Sequence, residues 1–281
     1  MRTSPNVLAP ASAPSLGRVM LNKVPEVTVW FWIIKVMATT VGETVADFLT
    51  GTVGLSLNAA TVVIGAALAI ALVAQFRLRR YLPAVYWAAV VLISVVGTLI
   101  TDNLVDEYGV ALQTTTILFA AALAATFALW FASERTLSIH TITTRRREGF
   151  YWTAILFTFT LGTAAGDLLA EGFGLGYGVS AVLFAGVILA IWIAHRILGL
   201  GAVLSFWAAY VITRPLGASV GDLLSQPTAD GGVGLGTTAT SALFLLVILA
   251  VVTYLAITRR DVTPPPTALR GRAETRETHG R

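Results

Sequence analysis

Residues 32–47 read WIIKVMATTVGETVAD: a tryptophan, a glycine ten residues on, and an aspartate five further. The same spacing returns as WAAVVLISVVGTLITD at 87–102, WTAILFTFTLGTAAGD at 152–167 and WAAYVITRPLGASVGD at 207–222. Successive aspartates (Asp47, Asp102, Asp167, Asp222) are 55, 65 and 55 residues apart, so copies one and three, like copies two and four, are 120 apart. That is the pattern left by one duplication followed by another, with the extra length in the linker 133–149. Chance is a poor account of three fixed positions in four copies.

The chain between these motifs is too apolar for a water-soluble globule. Hydrophobic residues make up 56% of its 281 positions and charged residues 12%, against about 25% charged in soluble domains. Mean hydropathy is +0.78. Charges cluster, leaving apolar runs at 26–49, 57–76, 84–103, 111–133, 150–170, 177–195, 201–224 and 238–257, each near the roughly 20 residues a helix needs to cross a bilayer. The expected fold is all-α: a polytopic membrane helix bundle of eight transmembrane helices arranged as four parallel two-helix repeats. There is no cysteine, which excludes disulfides and thiolate metal sites and suits a bacterial inner membrane.

Arginine and lysine are sorted by loop. Arg77, Arg79, Arg80, Arg135, Arg145, Arg146, Arg147 and Arg196 follow even-numbered spans, and the termini carry the rest of the exposed ones. Loops after odd spans carry Asp106, Glu107, Glu171 and Asp230 instead. The positive-inside rule places both termini in the cytoplasm and makes the basic segment 145–147 a topology-determining loop rather than a nucleic-acid site. Residues 1–22 lack a compact apolar core and are expected to be a flexible arm rather than a cleaved signal. Residues 23–258 form the membrane domain, with repeats at about 23–80, 81–134, 146–197 and 200–258, and the proline-rich segment 259–281 reads as a disordered tail.

With Trp32, Trp87, Trp152 and Trp207 each heading a two-span unit, and with Lys23-Val24-Pro25-Glu26-Val27 and Gly42-Glu43-Thr44 in the first, the chain resembles a family of bacterial membrane-anchored proteins. These are built from four tandem repeats of unknown function, with two transmembrane segments and a tryptophan per repeat. The resemblance implies architecture and leaves activity open.

Parallel repeats are related by an axis along the membrane normal. Spans two, four, six and eight are nearly free of charge, whereas the odd spans hold the four aspartates, Glu43, Lys35 and Arg214. Charges are costly against lipid, so the odd helices are expected inside and the even ones around them. Among the motif residues, the tryptophans read first as an interfacial aromatic belt, with packing between repeats as the other role. Gly42, Gly97, Gly162 and Gly217 read as close-approach positions between helices, extended by Gly166 and Gly221.

The aspartates allow two readings, hydrogen bonding to helix ends or a ring that attracts cations. Lys35, Thr39, Glu43 and Asp47 follow one another at four-residue steps as a polar stripe. Thr98, Thr163 and Ala218 replace Glu43 in the other copies, which makes the first repeat special. Two cations against five carboxylates on the odd helices leave an excess of acid that must be protonated, solvated or bound to cations. Asn58, Gln113, Thr114, Thr115 and Thr116 open the second and fourth spans and read as ordinary interface residues.

The resulting functional expectation is a transporter or exporter of a small cation or other small solute, open to proton coupling. Glu43 and Asp47 form its central pair, Asp102, Asp167 and Asp222 line an outer vestibule, and Lys35 and Arg214 act as counter-ions. Oxygen ligands favour hard ions such as Mg²⁺, Mn²⁺ or Ca²⁺. His140, His195 and His279 fall in loops or tail on the inner side, so no histidine site is expected within the membrane. The competing expectation is a non-transporting scaffold or sensor with purely structural charges. An intramembrane enzyme ranks last, since no nucleophile, metal or phosphate-binding motif supports one. No cofactor is implied, the bilayer and a small solute are the expected partners, and self-association stays open.

Overall fold

The computed structural model describes residues 22–262; the arm before residue 22 and the tail beyond 262 lie outside the described residues. Eight helices long and apolar enough to cross a membrane occur among them. They are α1 Val29–Asp47, α2 Leu57–Arg77, α3 Pro83–Asp102, α4 Leu112–Glu134, α5 Arg145–Asp167, α6 Tyr177–Ile197, α7 Ala202–Ser225 and α8 Thr237–Thr258. Local chemistry sets several starts. Thr28, Ser56 and Thr144 accept hydrogen bonds from the amides of Phe31, Ala59 and Arg147, and Pro83, lacking an amide hydrogen, opens α3.

The cap at Thr144 corrects one expectation. The basic residues 145–147 form the first turn of α5 rather than a loop. Cations are disfavoured at a helix N-terminus, and nearby acceptors compensate: Arg147 Nε donates to Glu134 at 2.8 Å and its Nη1 to the Thr141 carbonyl at 3.0 Å. Glu148 in the same turn is buried with Lys23 at 2.6 Å. Gln75 donates to that carboxylate as well, at 3.4 Å. This cluster joins the segment before α1 to the end of α2 and the start of α5.

The odd helices close a ring. α1 packs on α3, α3 on α5, α5 on α7, and α7 returns to α1. Each even helix packs chiefly on the odd helix of the following repeat: α2 on α3, α4 on α5, α6 on α7, and α8 back on α1. The odd spans are 50–67% buried and the even ones 11–28%, so the uncharged helices form the outer layer. A charged residue on an odd helix thereby avoids lipid.

Two cyclic contacts hold the ring at its basic end and its middle. At the basic end, the aromatic residue preceding each motif tryptophan meets the tryptophan of the next repeat. Phe31 lies 5.6 Å from Trp87, Tyr86 5.5 Å from Trp152, Tyr151 6.1 Å from Trp207, and Phe206 5.8 Å from Trp32. Trp87, Trp152 and Trp207 are buried and Trp32 is half-buried. The interfacial-belt expectation therefore gives way to packing between repeats, at about 0.5–1.5 kcal/mol per aromatic pair beyond area burial.

In the middle, each motif glycine receives a side chain of the next repeat seven residues past its tryptophan. A Cβ on Gly42 would overlap Ser94, on Gly97 Phe159, on Gly162 Arg214, and on Gly217 Thr39. Gly65, on an outer helix, faces open space.

The C-terminal end is tied down further than composition suggests. Asp261 is buried, its carbonyl accepts from the Glu26 amide at 2.9 Å, and its carboxylate accepts from the Tyr81 hydroxyl at 2.6 Å. Among residues 259–262, Asp261 alone is buried, and its two contacts anchor the end of α8 to the segment before α1 and to Tyr81.

Two predictions arise from these contacts. Gly42→Ala and Gly217→Ala should each lose about 1–3 kcal/mol by overpacking, while Gly65→Ala should lose nothing and gain slightly in helix propensity; reversible unfolding in mixed micelles measures both. The second concerns pH. Burial holds the Asp261 carboxyl above its ordinary range, and the Tyr81 hydrogen bond pulls it partway back. A raised folded value means the contribution is fully present below the unfolded value and is lost as pH rises through the folded one. A spin label at residue 262 should therefore become less mobile as pH falls toward the carboxylate range, and Asp261→Asn should remove that dependence.

Candidate ion site in the four-helix ring

Fifteen residues of helix rise about 22 Å, so the four motif segments define layers along the ring axis. The aromatic girdle lies at the basic end and the aspartates toward the acidic end. Between them stands Arg214, fully buried, its side chain crossing the space left by Gly162. Its Nη2 donates to Glu43 Oε2 at 2.9 Å, to Thr163 Oγ1 at 2.6 Å and to Thr98 Oγ1, while Nη1 donates to the Thr39 carbonyl at 3.2 Å. The Thr98 hydroxyl donates onward to Glu43 at 3.3 Å. All four odd helices contribute to this one layer.

Thr98 and Thr163 stand at the register of Glu43, a substitution visible in the sequence, but their role there is to hold Arg214. Three repeats supply acceptors and the fourth supplies the cation. A buried ion pair is tolerated when further hydrogen bonds satisfy its remaining valences; the two threonines and the Thr39 carbonyl serve the two Nη atoms, while Nε has no partner among the described residues.

Lys35 departs from its expected role as a counter-ion. It is fully buried without a carboxylate or hydrogen-bond acceptor among the described residues. Its ammonium nitrogen lies 4.0 Å from the Phe159 ring centroid and 4.3 Å from that of Tyr210. The ring faces meet it as a cation–π pocket, one layer closer to the basic end than Arg214. Beside it, the Tyr86 and Tyr151 hydroxyls meet at 2.5 Å.

On the acidic side of Arg214 the carboxylates converge, with a different membership from the one expected. Glu43, Asp167 and Asp222 each offer an oxygen within 4.8 Å of the other two. Asp47, expected as the partner of Glu43, instead accepts from the Gln226 side-chain amide at 3.3 Å. Asp102 lies outside the cluster as well. The carboxylates of Asp102, Asp167 and Asp222 accept no hydrogen bond among the described residues. One turn beyond Asp222, on the same face of α7, Ser225 is buried with its hydroxyl unpartnered.

Directly after Asp47, Asp102 and Asp167 the helices widen into π turns, Phe48–Thr52, Asn103–Glu107 and Leu168–Gly172. α7 has no such turn, and its aspartate lies inside regular helix. π turns are frequent at functional sites. Nothing in the motif spacing foretells them. By contrast, Thr115 and Thr116 bond the carbonyls of Ala111 and Leu112 in their own helix, as ordinary interface residues do.

The ion pair makes a specific energetic prediction. Arg214→Met should cost about 3–5 kcal/mol by leaving Glu43 buried without its partner, and adding Glu43→Met should restore most of that loss. A double-mutant cycle on unfolding in mixed micelles measures the coupling; strictly additive losses would show that the pair does not tie the ring.

No curated protein and no solved structure matches the chain. The family signature described as Repeat of Unknown Function (DUF347) matches at residues 30–81, 85–136, 150–198 and 205–261. Each match covers most of one odd helix and all of the even helix after it, so the chain belongs to this repeat family and carries four copies of its two-helix unit.

Proposed function

We propose that this membrane protein is a transporter of a small hard cation, with Glu43, Asp167 and Asp222 as its ion-binding groups. The observation that carries the proposal is the convergence of three carboxylate oxygens beside Arg214, two of them on aspartates whose carboxylates accept no hydrogen bond among the described residues. Carboxylates facing one another without donors repel, and a bound cation relieves that repulsion. The limit of 4.8 Å between oxygens is about twice a Ca²⁺–oxygen bond, a separation that one ion can bridge. With Glu43 offset by Arg214, the two remaining carboxylates match a divalent charge. An all-oxygen set favours Mg²⁺, Mn²⁺ or Ca²⁺.

Arg214 makes the site responsive. Glu43 serves both the guanidinium and the cluster, so an arriving cation competes with Arg214 for the same carboxylate. Released from it, Arg214 keeps Thr98, Thr163 and the Thr39 carbonyl as acceptors, and the bound cation takes over the neutralisation of Glu43. On the basic side the aromatic girdle blocks the axis, so passage requires that layer to part. We place the basic face in the cytoplasm of a bacterial cell on the positive-inside rule, and we take the chain to be non-enzymatic.

A scaffold or sensor remains the second reading, favoured by the four acceptors that hold Arg214 within the ring. The two differ at Asp167 and Asp222, whose carboxylates no hydrogen bond among the described residues ties to the fold. Reconstituted protein should carry Mn²⁺, Ca²⁺ or Mg²⁺ across liposomes. Asp167→Asn and Asp222→Asn should each weaken apparent affinity by about 10- to 100-fold, the worth of one charge-assisted contact at roughly 1.5–3 kcal/mol, without unfolding the protein. Absence of flux together with absence of any cation-dependent rise in thermal stability would sink the proposal in favour of the scaffold.

A further inference from the structure

The extra length between repeats two and three has a structural use apart from the ion site. Leu137–His140 of that linker reach across to α7, where the Trp207 indole donates to the Leu137 carbonyl at 2.9 Å. There they wall one end of a cavity of about 620 Å³ lying against α6, α7 and the start of α1. That volume falls within the roughly 300–1,000 Å³ of small-molecule clefts.

We infer that this cavity is a binding site for one phospholipid of the leaflet on the arginine-rich face. Its polarity runs in one direction. His195, Ser138 and His140 lie at the basic end, where His195 Nδ1 is bonded to the Leu200 carbonyl at 2.7 Å and His140 Nδ1 approaches Glu26 at 3.7 Å. Arg196, exposed, follows directly. Away from that end the lining is apolar, with Ile188, Leu189 and Trp192 of α6 facing Phe206 and Ala209 of α7.

Length and access agree with polarity. From His195 back to Ala185, both at the cavity wall, ten residues of helix rise about 15 Å. This is half of the roughly 30 Å hydrocarbon core, the depth of one leaflet. Leu189 and Trp192 are exposed on the outer helix layer, so the cavity opens sideways to lipid. An acyl chain fits the apolar length, and at its basic end the exposed Arg196, next in sequence to the lining residue His195, supplies the charge complementary to a phosphate. A soluble organic solute would find few polar groups along that length, chiefly the indole nitrogens of Trp32 and Trp192.

The test uses the full chain, purified in mild detergent and transferred to nanodiscs. Native mass spectrometry should find one retained phospholipid per chain, and brominated phospholipid should quench Trp192 fluorescence saturably, judged against Trp192→Phe. Ala185→Phe fills the cavity from an exposed position and should abolish both signals with the thermal transition unchanged. Arg196→Gln with His195→Gln should weaken retention of the headgroup while leaving the fold intact. Retention equal in wild type and Ala185→Phe, or quenching that rises without saturation as for bulk lipid, would overturn the assignment.

Discussion

Four parallel helices approach closely enough for a side chain of one to occupy the missing Cβ of the next, and the rest of the ring depends on that approach. At Gly42, Gly97, Gly162 and Gly217 the neighbour's Ser94, Phe159, Arg214 and Thr39 fill the vacated space. Between helices in lipid there is little hydrophobic driving force, so association relies on packing and on hydrogen bonds. The glycine register supplies the first and brings the polar groups within reach for the second. Arg214 reaches Glu43, Thr98 and Thr163 because its aliphatic stem passes over Gly162.

The same register shows how duplication and specialisation coexist. Four copies retain glycine and aspartate, which keeps the ring closed. The position seven residues past each tryptophan has diverged into threonine, serine, phenylalanine and arginine, and the next polar register into glutamate, two threonines and alanine. One cation and one anion suffice for the layer. Additional guanidiniums at this register would crowd and repel, and additional glutamates would each need a partner. The asymmetry of the site is thus a consequence of charge balance inside a symmetric scaffold.

Much of this architecture was legible before any coordinates. Spacing and hydropathy set eight spans close to the observed helices, and the sorting of charge onto odd spans identified the inner layer. What escaped was the direction of side chains around the axis. Periodicity places Trp32, Trp87, Trp152 and Trp207 near a membrane boundary but says nothing of whether a ring faces lipid or the neighbouring repeat. Lys35 sits on the same stripe as Glu43, and only the rotation of α5 and α7 against α1 brings Phe159 and Tyr210 over its ammonium. Glu43 and Asp47 are adjacent on one helix, yet the cluster draws its other members from α5 and α7, across the ring. The π turns and the capping of α5 at Thr144 depend on backbone hydrogen bonding that apolar patterning does not encode.

The two cations on the axis have opposite solutions to burial, and the difference fits their chemistry. Arginine offers a planar fork of donors that several acceptors can satisfy together, and Arg214 meets four groups from three neighbouring helices. Lysine carries a compact charge, and Lys35 is met by ring faces with no acceptor at all. Exchanging the two residues would serve neither layer: a guanidinium between Phe159 and Tyr210 would leave its donors unpaired, and an ammonium at 214 could not span Glu43 and both threonines. The order of the layers, aromatic at the basic end and carboxylate at the acidic end, then gives the axis a polarity. On the transport proposal, a cation approaching from the acidic end would meet carboxylates first and the Arg214 guanidinium next, and Arg214 would have to move before an ion passed the cluster.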